Sequence, residues 1–290
     1  MKKILYNRLI ALLSIIGIVM VLCLVACSQN IKPYSAMICG YSDSISGIVL
    51  KPDYDEWSRE SYYDNNQLKT IKVSVNGIDH NGTYIESERN YGTYETRHSY
   101  LDDNNKIFEI NDDGILSAYF WGSDRSLKNV KSQKECQAIA HDFIFSMFGS
   151  YPYDYEERIS YEEDRNIYTF EYIKLIRNVE TEDKITIAVE TTGHIYSYRS
   201  SLCGKIQEDR VPGFELQKIH SIVTERLDDI TKIARNTYDQ VEYNDFRYSI
   251  TMISNSRYAI LCDVNVNCIE RSGEFEIREG EKIRFVVLLE

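Results

Sequence analysis

The chain has 290 residues, with 45 acidic side chains against 33 basic ones and a formal net charge of −12. At 43% hydrophobic and 27% charged it has the composition of a globular protein, long enough for roughly two domains. The acid excess argues against nucleic acid as a partner, because phosphate recognition needs a basic face.

The first elements are those of an export signal. Lys2, Lys3 and Arg8 precede an almost unbroken apolar run over 9–25. About 17 residues also approaches the minimum for a membrane-spanning helix. The residues that follow decide between these readings. Leu24-Val25-Ala26-Cys27 resembles the bacterial lipoprotein box. That resemblance implies a diacylglyceryl group on Cys27, cleavage between Ala26 and Cys27, and attachment to the extracytoplasmic face of the cell membrane. A thiolate is the group nucleophilic enough to accept the lipid, and two acyl chains suffice for stable anchoring. Removal of 1–26 leaves 30 basic and 45 acidic groups, a net of −15. Residues 27–68 then read as a tether followed by a segment without clear periodicity, with 28–47 a polar spacer.

From residue 69 the pattern has period two, and 69–122 reads as an antiparallel β segment. Ile71, Val73 and Val75 alternate with polar residues, and further strands are expected at 83–88, 94–101, 106–110 and 115–121. Asn76-Gly77 and Asn81-Gly82 read as turns, and Asn111-Asp112-Asp113-Gly114 as a hairpin loop. Ser132-Gln133-Lys134-Glu135 is a capping box opening a helix with Cys136, Ile139, Ala140, Phe143 and Met147 on one face. Strands are expected at 157–161, 167–176, 184–190 and 194–199, completing a unit over 131–202. A second helix follows, with Leu216, Ile219, Val223, Leu227, Ile230 and Ile233 as its stripe, then strands at 248–253, 258–266 and 282–289, a unit over 215–290. Residues 184–189 read onto 282–287, and Ile110, Gly114, Leu116 and Tyr119 onto Val189, Gly193, Ile195 and Tyr198. The expected fold class is therefore α+β: repeated units of one helix on an antiparallel meander, preceded by an all-β segment.

A capped helix, a meander, and a hairpin of the form Val189-x-x-x-Gly193-x-Ile195-x-x-Tyr198 together are similar to the PepSY and YPEB-type modules of bacterial envelope proteins. The resemblance covers 131–202 and 215–290. It implies a non-catalytic role, with a peptidase among the partners such modules are proposed to modulate.

The remaining chemistry points the same way. No nucleophile elbow, zinc-protease helix or phosphate loop is present, and the five histidines never recur at ligand spacing, so no cofactor and no metal is expected. Cys136 and Cys262 fall on apolar faces, and Cys262 and Cys268 on one strand would lie about 20 Å apart, beyond disulfide reach. Adjacent acids such as Glu156-Glu157, Glu162-Glu163 and Asp228-Asp229 leave open a glycan-directed hydrolase using a carboxylate pair. The 23 tyrosines suit peptide recognition, with Tyr91, Tyr94, Tyr100, Tyr151, Tyr153 and Tyr155 as candidates for an exposed cluster. The expected function is a cell-surface lipoprotein that binds an envelope protein or peptide.

Overall fold

The computed structural model describes residues 34–41, 48, 50, 53–54, 59–75, 78–90, 95–123, 130–149, 154–202, 204–254, 257–273 and 275–289. The strands are β1 (Ala36–Tyr41), β2 (Arg59–Tyr62), β3 (Thr70–Val75), β4 (Ile78–Asn90), β5 (Glu95–Asp102), β6 (Ile107–Asn111), β7 (Leu116–Phe120), β8 (Tyr155–Glu162), β9 (Ile167–Ile176), β10 (Val179–Glu190), β11 (Ile195–Ser201), β12 (Gln240–Ser254), β13 (Arg257–Ser272) and β14 (Phe275–Leu289). Among the described residues the α-helices are α1 (Gln133–Phe148), between β7 and β8, and α2 (Leu216–Ile230), between β11 and β12.

All fourteen strands join one sheet, ordered β1-β14-β13-β12-β10-β11-β7-β6-β5-β4-β2, with β3 beside β4 and with β9 and then β8 branching from β10. β10 and β12 form a parallel pair at Glu180↔Ser249 and Thr181↔Ile250; the other strand pairs among the described residues are antiparallel. This overturns the expected fold class. The protein is mostly β, and its helices do not head repeated meanders. A half-buried strand has the same alternation whatever its neighbour, so 184–189 and 282–287 look alike without belonging to equivalent units. The core under α1 shows the point: Cys136, Ala140, Phe143 and Ile144 are buried with Tyr84, Tyr100 and Phe108 from strands well upstream.

That core is organised by register. Tyr84, Tyr100, Phe108, Tyr119, Tyr198, Ile187, Phe170 and Ile159 are successive cross-strand partners on β4, β5, β6, β7, β11, β10, β9 and β8. The two tyrosines that the sequence aligned at equivalent hairpin positions, Tyr119 and Tyr198, thus face each other directly. Full burial of a side chain of this size contributes about 1.5–3 kcal/mol, so the row is a large part of what holds β4–β11 together.

Several local expectations hold for their stated reasons. Ser132 caps α1 with a reciprocal Glu135 bond, and Gly149 closes it in the left-handed conformation. Gly114 takes φ 75° in the β6–β7 turn, where the Asn111 side chain accepts from the amides of Asp113 and Ile115. On α2, Ile219, Val223 and Leu227 are fully buried, whereas Ile233 lies past the helix end and is 58% exposed.

Two expectations fail. Asn81-Gly82 is no turn but part of β4, because the Phe108 ring occupies the space above Gly82: a Cβ there would lie 2.3 Å from Phe108 Cζ. The spacer over 28–47 is interrupted by β1, which pairs with β14 from Ala36↔Val287 to Tyr41↔Ile283. Ile38 and Cys39 are buried on its opposite faces, Cys39 against Leu261 and Val286. Asp53 clamps the strand: its amide donates to Ile38 O, its carboxylate accepts from Ile38 N, and Arg226 of α2 pairs with it at 2.7 Å. Six residues with so few polar side chains carry a weak periodic signal, and their partner lies at the far end of the sequence.

Candidate binding cleft

Three connections converge at the amino end of α1. Residues 163–166 join β8 to β9, residues 191–194 join β10 to β11, and 130–132 lead into the helix. They are stitched by backbone bonds, Lys131 N to Thr191 O at 2.6 Å and Thr191 N to Asn166 O at 2.9 Å. Asn166 and Gly193 hold positive φ, 55° and 88°, to make the two reversals. Gly193 has a second role: a Cβ there would sit 2.3 Å from Lys131 Cε, so its bareness lets the Lys131 stem cross the turn.

These turns enclose a cleft of about 440 Å³ whose lining includes Lys131, Tyr161, Arg165, Asn166, Tyr168 and Glu190. Tyr161 and Tyr168 are cross-strand partners with ring centroids 4.6 Å apart, and the Tyr161 hydroxyl donates to Asn166 Oδ1 at 3.0 Å. Glu190 is buried, accepting from Thr192 Oγ1 at 3.2 Å. Arg165 is mostly exposed and pairs loosely with Glu162 at 3.5 Å. Two cations, a carboxylate, aromatic faces and hydrogen-bonding groups thus line one cleft, a mixed surface suited to recognition.

Two buried polar networks lie elsewhere, on β4–β7. Ser87 Oγ stands 2.7 Å from His98 Nδ1, and His98 Nε2 stands 3.1 Å from Asp112 Oδ1, a Ser–His–Asp series. With the proton on Nε2 facing Asp112, Nδ1 accepts from Ser87, and Ser87 accepts from Tyr84 at 2.7 Å. Ser87 has no exposed surface, so no substrate carbon can approach its oxygen, and the series acts as an internal strut. In the second network Tyr119 donates to Asp102 Oδ2 at 2.7 Å with His80 Nδ1 3.0 Å from the same hydroxyl. Burial works against the Asp102 carboxylate, but bonds from Lys106 N, Tyr119, Asn104 N and His80 outweigh it and hold the pKa below the usual range. Asp102 thus turns inward to order its own loop.

The adjacent acids Glu156 and Glu157 diverge, as a period-two strand requires, while Asp228 and Asp229 lie on α2 and Glu163 falls past the end of β8. Glu157 faces α1, accepting from Gln137 and Tyr172, while Glu156 pairs with Arg158 on the other face. Asp183 is the carboxyl raised by its surroundings, to about 6, through burial, against the lowering effect of bonds from Tyr155 and Gly204 N. It is fully enclosed.

Leu24, Val25, Ala26 and Cys27 lie outside the described residues, as do Tyr91, Tyr94, Tyr151 and Tyr153. The expected tyrosine cluster does not form from the others: Tyr100 is fully buried, and Tyr155 is half-buried with its hydroxyl on Asp183 at 2.5 Å. Tyr161, Tyr168, Lys131 and Arg165 escaped the sequence reading. Their signal was present in two tyrosines flanking a short polar turn, but the third wall comes from a connection some 25 residues later.

No family model matches the chain, and no curated protein matches it. Among solved structures it is similar to the YpeB C-terminal domain of Bacillus megaterium, at 13% identity over 77% of this chain and 89% of that one, with a TM-score of 0.29. It is also similar to an uncharacterised protein from Eubacterium rectale, at 14% identity over 75% of this chain and 72% of that one, with a TM-score of 0.32. Among the described residues, no helix is long and apolar enough to cross a membrane.

Proposed function

We propose that the protein is a non-catalytic lipoprotein of the cell envelope, held at Cys27, whose cleft at the amino end of α1 binds a protein or peptide partner. The observation that carries this reading is the cleft itself: Lys131 and Arg165 stand beside a fixed tyrosine pair on a chain that is acidic overall, with Glu190 bonded to Thr192 and Arg165 loosely paired to Glu162. The lipoprotein box supplies the location. A partner with acidic groups would be drawn to the cations and excluded from most of the remaining surface.

Crosslinking in living cells, followed by capture of the full chain from detergent extracts, tests the reading. An envelope protein should be recovered with the parent chain and lost with the Lys131→Glu, Arg165→Glu double variant. Recovery undiminished by the double variant would refute the cleft as the site. Release of an unmodified chain into the medium would refute the anchor.

A further inference from the structure

β8 is an open edge. It keeps unbroken register with β9 over eight residues, from Tyr155↔Lys174 to Glu162↔Ile167, and among the described residues no other strand pairs with it. Of the other strands with a single neighbour among the described residues, β1 and β3 have six residues and β2 four, and β14 is also open over Phe275–Lys282, beyond its pairing with β1. Proteins blunt an edge of this length with proline, a bulge, brevity or charge; β8 has no proline and no bulge, and carries charge at Glu156, Glu157, Arg158 and Glu162.

The side chains on its helix-facing surface are those of an unfinished interior. Ile159 ends the cross-strand row that begins at Tyr84, yet it is 37% exposed, and Tyr161 two residues on is 46% exposed. α1 runs alongside: Gln137 Nε2 donates to Glu157 at 2.7 Å, and His141 Nε2 is 3.3 Å from the same carboxylate. Helix and strand therefore touch at Glu157, and beyond that contact the partly exposed Ile159 and Tyr161 continue the helix-facing surface. Where β8 finishes and α1 begins lies the cleft with Lys131 and Arg165.

We propose that an extended peptide adds to the free edge of β8 as a further strand, on the side away from β9, with a carboxylate seated against Lys131 and Arg165. Main-chain bonds to the β8 edge supply affinity without regard to sequence, and alternate side chains cover Ile159 and Tyr161. The cations fix the register by holding the carboxylate, from either a chain terminus or an acidic side chain. This rests on the cleft being the binding site, and adds the mode of binding and the chemistry of the ligand.

The test uses three fluorescein-labelled octapeptides of alternating Val and Thr: one with a free carboxyl terminus, one amidated, and one amidated with Glu at its penultimate position. The full chain in detergent should bind at least one carboxylate-bearing peptide tenfold or more tightly than the plain amide. Preference for the free acid identifies a terminal carboxylate, and preference for the Glu peptide an acidic side chain. The Lys131→Glu, Arg165→Glu variant should remove the difference. Hydrogen–deuterium exchange should slow in 155–162 on binding and stay unchanged in β1 and β2. Charge-dependent binding without protection of β8 would overturn strand addition while leaving the cleft reading intact. Failure of all three peptides to bind, or protection of another edge, overturns the proposal even if the cellular partner is recovered.

Discussion

Replacing Asp183 by Asn is expected to flatten the pH dependence of stability between about pH 4 and 6. The folded chain holds the Asp183 proton up to about 6, whereas the ordinary value is 3.8. Between those values the folded state binds more protons than the unfolded state, so stability falls as pH rises through the window. A gap of roughly two pH units at 1.36 kcal/mol each amounts to about 3 kcal/mol lost by pH 7. In a chain of this size that corresponds to about 6–12 °C in melting temperature. Asn accepts through one oxygen, so one of the two donors, Tyr155 Oη or Gly204 N, loses its partner and the variant starts lower by about 1–3 kcal/mol. The informative quantity is therefore the slope. Urea unfolding at pH 4, 5, 6 and 7 should show the parent losing about 3 kcal/mol more than the variant across the series. Parallel curves would refute the claim that burial holds this carboxyl protonated.

Gly82→Ala is expected to destabilise by about 1–3 kcal/mol in urea unfolding, because its Cβ meets the fully buried Phe108 ring. Tyr119→Phe should cost about 1.5–3 kcal/mol by the same measurement, since it removes a donor from the buried Asp102 carboxylate. The loss should be largest near neutral pH and shrink as pH falls and Asp102 is protonated, because a carboxyl held below its usual range stabilises the fold only while ionised. Iodoacetamide at pH 8 should leave Cys39, Cys136, Cys262 and Cys268 unmodified until urea is added. All four are buried free thiols, and burial pushes Cys39 and Cys262 up to about 12. Mass spectrometry of tryptic peptides would read this directly.

Local structure was legible where the determining contacts are local. The capping box at Ser132, the Gly114 turn and strand β9 depend on neighbours within a few residues, and the sequence carries them without ambiguity. Strand partners are a different kind of fact. Period two says that Ile187 and Phe285 face inward, but nothing near either residue states that Tyr198 lies beside one and Ile38 beside the other. Gly82 illustrates the limit: Asn-Gly usually signals a turn, and only the Phe108 ring explains why the chain runs straight through it. The cleft was hidden for the same reason, being assembled from three connections that the sheet brings together. The residues read as an export signal and lipid box lie outside the described residues.

β1 sets the order in which this molecule can be finished. Cys39 bonds to the carbonyl of Arg284 across 245 positions, so the seat that receives β1 does not exist until β14 is in place. Closing a loop of that length costs about 5 kcal/mol in chain entropy, which the pairing must recover in a single late event. Until then the apolar side chains of β1, Ile38 and Cys39 among them, wait unshielded.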